Sequence, residues 1–194
     1  TCALPIYTIL GARPPSVVSV YGGPGCAKSS TLAYALNHAS YTRPTLYLVF
    51  NREAKTSMIS KIQNAVVRCC TYAGLAWDGS VLNMFPKDLF AYTVETADTD
   101  VLDGNTNNRV IYPADFVEFV NWLVTTDGPQ HLSTRARRRW TNIISGDAPI
   151  DEKATFKLLL LRPDIRARVF GRYEVVVWDE AQDMNAVRWA LCDT

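Results

Sequence analysis

One stretch constrains this chain more than any other. A β-branched run, Ser16-Val-Val-Ser-Val-Tyr21, passes through Gly22-Gly-Pro-Gly-Cys-Ala27 directly into a helical segment running from Lys28 to about His38. Gly22 to Ser29 comes close to the pattern G-x-x-x-x-G-K-[ST], in which successive backbone N–H groups wrap phosphates at the start of a helix. On that pattern Gly22, Gly23, Pro24, Gly25, Cys26, Ala27, Lys28, Ser29 and Ser30 are the expected nucleotide-binding residues. Lys28 would reach the β- and γ-phosphates, and Ser29 would offer a hydroxyl ligand to Mg²⁺, an ion that usually takes only one or two protein oxygens. An ordinary strand-to-helix turn shares the outline, but the apolar strand before the loop and the helix after it favour the phosphate loop. The chain departs from the pattern at Ala27, where a Cβ replaces the glycine before the lysine.

Three further apolar runs read as strands: Thr45 to Phe50, Ala65 to Cys70, and Tyr173 to Trp178, which ends at Asp179. The second strand leads into a helix expected over Arg52 to Asn64, and the third into a helix start at Thr71. Strands separated by helices predict an α/β fold with a parallel sheet flanked by helices, whose ligands bind outside the carboxyl ends of the strands. Residues 7–80 and 171–194 are assigned to that domain. Residues 81–170 do not alternate strand and helix and read as a mostly helical inserted subdomain. A helix is expected from Pro113, with Phe116, Phe119, Val120, Leu123 and Val124 on one core-facing stripe, ending before Gly128-Pro129. Others are expected over Ser133 to Ile144, Glu152 to Leu161 and Pro163 to Phe170, with Asp98 to Asn108 an exposed loop. Residues 1–6, Thr-Cys-Ala-Leu-Pro-Ile, look like a translated sequencing-library adapter and are set aside as an artefact.

At 194 residues, 48% of them hydrophobic and 20% charged, the chain suits one domain, or one domain carrying a large insertion, and not a disordered segment. No apolar stretch approaches the roughly 20 residues of a membrane span. With 20 Lys and Arg against 19 Asp and Glu, a nucleic acid would have to be held by a local patch. Arg135, Arg137, Arg138 and Arg139, beside Trp140 and with no acid from His131 to Ser145, form such a patch; a solvated helix face is the alternative. The five cysteines include no C-x-x-C pair, which fits a reducing compartment, and Cys69 and Cys70 read as buried apolar residues. His38 and His131 stand apart from any metal-ligand or nucleophile pattern.

The last strand delivers Asp179-Glu-Ala-Gln-Asp183 to the ligand edge. Asp179 is the expected Mg²⁺ ligand, Glu180 the general base for an attacking water, and Gln182 the sensor of the γ-phosphate, so Lys28, Asp179, Glu180 and Gln182 form the expected catalytic set. D-E-x-Q-D after a strand resembles motif II of the superfamily 1A helicases of the UvrD type. Leu46-Tyr-Leu-Val-Phe-Asn-Arg52 resembles their motif Ia, and Cys70-Thr-Tyr-Ala-Gly-Leu-Ala-Trp77 their motif Ib. Phe50-Asn51, the acidic motif and Ala154 to Pro163 look most like the F-box DNA helicase branch.

The resemblance implies a RecA-like P-loop NTPase domain using ATP and Mg²⁺ to move on single-stranded DNA. Asn51, Thr71 and Tyr72 stand where the family touches the strand, and Phe50, Tyr72 and Trp77 offer aromatic faces on which bases stack. It also implies an insertion that contacts duplex DNA, a second RecA-like domain not found in these residues, and a nuclear location in a eukaryote or a cytoplasmic one otherwise. Ala73 and Gly74 replace the usual histidine and serine of motif Ib. Two alternatives stay open: a P-loop enzyme of another class, such as a nucleotide kinase, and a non-catalytic nucleic-acid-binding remnant.

Overall fold

Thr45 to Val49 is buried at every position, which a strand tolerates only when both sheet faces are covered. This strand, β1, lies at the centre of a parallel sheet between β2 (Val67–Thr71) and β3 (Val175–Trp178), in the order β2-β1-β3. Thr45 is level with Val67 on one side and Val175 on the other, and Val49 with Thr71. The computed structural model describes residues 27–76, 113–148 and 150–192. The expected strand Ser16 to Tyr21, the loop residues Gly22, Gly23, Pro24, Gly25 and Cys26, Trp77 and the Asp98–Asn108 loop lie outside the described residues. What is described is a mixed α/β chain with a small parallel sheet flanked by helices.

The chain divides into two compact units, one of residues 1–75 and 166–183, the other of residues 76–165 and 184–194. In the first, α1 (Lys28–Leu36) and α2 (Arg52–Lys61) accompany the sheet. Tyr47 and Val49 of β1 join Ala33, Leu36, Tyr41 and Met58 in one cluster, flanked by Val67, Cys69 and Val177. Burial pushes the Cys69 thiol up to about 11, as befits a packed thiol.

Among the strand and helix boundaries that differ from expectation, two are set by asparagine side chains, the first by Asn64. Its Nδ2 donates to the carbonyls of Leu36 (2.7 Å) and Tyr41 (2.9 Å), while its Oδ1 accepts from the Val66 N–H (3.2 Å). The residues after it are thereby folded into a turn, so β2 starts at Val67 and not at Ala65. Asn37 answers from α1: its Nδ2 donates to Lys61 O at 2.6 Å and its Oδ1 accepts from Gln63 N–H at 2.8 Å. These bonds satisfy the terminal backbone groups of α2, which therefore stops at Lys61 and not at Asn64. A short helix, α3 (Tyr72–Ala76), follows β2 directly.

The second unit contains α4 (Ala114–Trp122), α5 (Thr134–Ser145) and α6 (Glu152–Leu161). Pro113 precedes α4, while the Ser133 and Asp151 side chains cap α5 and α6 by accepting from Ala136 and Ala154 N–H. Helix α5 ends at Gly146, whose φ of 86° belongs to the left-handed region that glycine enters without a Cβ penalty. The α4 stripe faces inward as expected, with Phe119 and Leu123 buried and Phe116, Val120 and Val124 half-buried. Trp122, absent from that stripe, is buried too and meets Trp140 edge-on at 5.1 Å. Helix α7 (Pro163–Phe170) runs across the division between the units, and α8 (Ala186–Cys192) packs on α6, where Arg188 pairs with Glu152. No helix among the described residues is long and apolar enough to cross a membrane.

Lys157 is the least expected residue of this unit. It is fully buried, its ammonium donating to the carbonyls of Thr125 (2.6 Å) and Asp127 (2.7 Å) and lying 4.2 Å from the centre of the Trp122 ring. Burial pulls it down to about 8, with Asp127 opposing.

Candidate functional site

Asp179 follows the last residue of β3, and its backbone N–H continues the ladder by donating to Leu48 O at 2.9 Å. That bond fixes the carboxylate at the carboxyl edge of the sheet, where it is buried. From the first turn of α1, Ser29 Oγ donates to Asp179 Oδ2 at 3.1 Å and stands 3.4 Å from Oδ1, although the two residues are 150 positions apart. The fold thus brings together the two residues that the sequence assigns to one cation. A hydroxyl and a carboxylate presented side by side are the hard oxygen donors that Mg²⁺ takes, so the residues present fit the ion. Lys28, half-buried, is the first residue of α1.

Ala27 sits immediately before α1 with φ 57° and ψ 27°, a left-handed backbone. This is the conformation for which the pattern normally carries glycine, and the alanine adopts it despite its Cβ. Its carbonyl accepts the first helical bond, from Thr31 N–H at 2.8 Å, but it supplies no side-chain cap, and α1 has no acid in its first turn. The first N–H groups of the helix are therefore not occupied by a capping side chain of residue 27.

Two tyrosines hold Asp179, and neither role was foreseen from sequence. Tyr47, fully buried on β1, donates its hydroxyl to Asp179 Oδ2 at 3.0 Å. Burial first, and the adjacent carboxylate second, push this phenol far above its ordinary value, so it stays an O–H donor. Tyr72 donates to the Asp179 backbone carbonyl at 2.9 Å, and its ring lies 5.7 Å from that of Trp178. The next peptide turns sharply: Glu180 has φ 54°, and its N–H donates to Asp179 Oδ1 at 3.1 Å. The Glu180 carboxylate is exposed to solvent and accepts from the Gln182 amide, so two of the expected catalytic residues are in contact.

Among the expected DNA-contacting residues, the structure separates those that can reach a ligand from those that cannot. Phe50 is 55% exposed at the end of β1, which makes its ring available and excludes a core role. Tyr72 is corrected: only 1% exposed, it has no face for a base, and Phe50 approaches its edge at 6.5 Å. Its hydroxyl is spent on Asp179. Asn51 is exposed but caps α2 by accepting from Ala54 N–H at 2.8 Å, and Thr71 Oγ1 accepts from Gly74 N–H at 2.8 Å.

The arginine run divides in the same way. Arg137 folds back onto the carbonyls of Pro129 (3.1 Å), Gln130 (2.9 Å) and Leu132 (3.0 Å). Arg139 pairs with Asp115 at 3.0 Å and lies over the Phe116 ring. These contacts brace α5 within its own unit. Arg135 and Arg138 are exposed. His38 and His131 are exposed as well, His38 bonding to Ser40.

No family model matches the chain, and no curated protein matches it.

Proposed function

We propose that this chain forms the ATP-binding part of a DNA motor of the superfamily 1A helicase type. The observation that carries the proposal is the meeting of Ser29 and Asp179 at the carboxyl edge of a parallel sheet, beside the start of a helix headed by Lys28. Ser29 and Asp179 would hold Mg²⁺, and the Ala27-to-Ser30 backbone with the Lys28 ammonium would bind the β- and γ-phosphates. Mg²⁺ bound there would offset negative charge on the phosphate oxygens. Glu180 would accept a proton from the attacking water, and Gln182, in contact with it, would align that group.

Phe50, exposed at the same edge, would stack on a base of single-stranded DNA, with Asn51 and Thr71 beside it. Separately, Arg135 and Arg138, exposed on the second unit, would contact phosphates of duplex DNA. The alternative of a degenerate remnant rests on Ala27 and Ala73; against it, Ala27 adopts the left-handed backbone for which the pattern carries glycine.

The test is ATP turnover by the full-length protein with and without single-stranded DNA. Turnover stimulated by the strand supports the motor. DNA-independent turnover points to another P-loop enzyme, and strand binding without turnover points to a non-catalytic binder.

A further inference from the structure

The geometry points to Tyr47 as a positioning residue of the cation site, one that holds the Asp179 carboxylate in place and touches neither the cation nor the nucleotide. The inference rests on the proposed Mg-ATP site and deepens it. Among the described residues, three donors reach the carboxylate: Ser29 Oγ and Tyr47 Oη on Oδ2, and the Glu180 N–H on Oδ1. They are not equivalent. A hydroxyl that gives its lone pair to a cation is itself a ligand, so Ser29 belongs to the ion. The Glu180 N–H comes from the adjacent peptide and moves with Asp179. Tyr47, alone among the described residues, reaches the carboxylate side chain from another strand, 132 positions away in sequence, and its own placement is rigid because β1 is buried on both faces.

Such outer partners of ligating carboxylates restrict rotation about the side chain, and their removal typically weakens metal affinity about 10- to 100-fold. Phenylalanine at this position keeps the ring and its packing against Val49 and Met58 while deleting the one bond that matters. Tyr41 provides the matched control, since its hydroxyl is also buried in this cluster but bonds to Thr45 Oγ1 at 2.7 Å, away from Asp179.

The experiment titrates MgCl₂ into the chain and a fluorescent ATP analogue, starting from EDTA, for the wild type, Tyr47→Phe and Tyr41→Phe. Tyr47→Phe is expected to bind the analogue in EDTA as the wild type does, but to need about 10-fold more Mg²⁺ for the half-maximal gain in affinity. Tyr41→Phe should follow the wild-type Mg²⁺ curve. A Tyr47→Phe curve that superimposes on the wild type overturns the assignment. So does a parallel loss of binding in EDTA, which would make Tyr47 a support of the fold and not of the cation. Wild-type chain that binds no analogue under either condition removes the nucleotide site itself, and Tyr47 with it.

Discussion

Ala27→Gly should strengthen this chain, because the alanine occupies a backbone state in which its Cβ is a liability. With φ 57° and ψ 27° it lies in the left-handed region, where an L-residue other than glycine is strained by roughly 1–2 kcal/mol. Glycine removes that strain but gives the unfolded chain more freedom, which costs about 0.4–1 kcal/mol. The difference favours glycine by about 0.5–1 kcal/mol, or about 1–4 °C in melting temperature for a chain of this size. If the loop closes fully only around phosphates, the same relief is read as affinity, up to about fivefold for the ATP analogue. Thermal melts with and without nucleotide, followed by an equilibrium titration, give both numbers. A lower melting temperature together with a clear loss of affinity would show that residue 27 is not strained and that its methyl group makes a useful contact.

Asn64→Leu removes three side-chain hydrogen bonds that tie together the end of α1, Tyr41 and the turn before β2, and should cost about 2 kcal/mol, seen as a melting point lower by about 4–8 °C; an unchanged melt would refute the bracing role. Lys157 is held down at about 8 when folded, against 10.5 ordinarily, so between pH 8 and 10.5 the unfolded chain binds the extra proton and Lys157 adds stability as pH rises, at most about 3 kcal/mol. Urea midpoints should therefore show the wild type gaining stability relative to Lys157→Met on going from about pH 7.5 to 10, and a constant or opposite difference would contradict the shift. Reversing Arg135 and Arg138 to Glu should lower the salt slope of duplex DNA binding by about 1.8 or more, while Arg137→Ala and Arg139→Ala should act through stability; an unchanged slope would count against the patch.

The helices and strands were legible wherever local chemistry set them. Pro113, Ser133 and Asp151 mark helix starts, and the apolar runs at Thr45 and Val175 mark strands. The pairing of Ser29 with Asp179 was legible as well, since both patterns place their polar residues at the carboxyl edge of one sheet. Tyr47 and Tyr72 were not. A tyrosine in an apolar run reads as core, and each hydroxyl finds its partner more than a hundred positions away. Lys157 was hidden for a related reason: its partners are backbone carbonyls, which carry no sequence signal. The arginine run was plain in the sequence, but its division was not, because the turn over Pro129–His131 decides which side chain is drawn inward.

The central claim is that Lys28, Ser29 and Asp179 form one Mg-ATP site, and calorimetric titration of ATP into the chain tests it most directly. The account predicts saturable binding in Mg²⁺ that Lys28→Ala abolishes, and that Asp179→Asn reduces to the level seen in EDTA. Binding that is equally tight in all three proteins, or that ignores Mg²⁺, would contradict it.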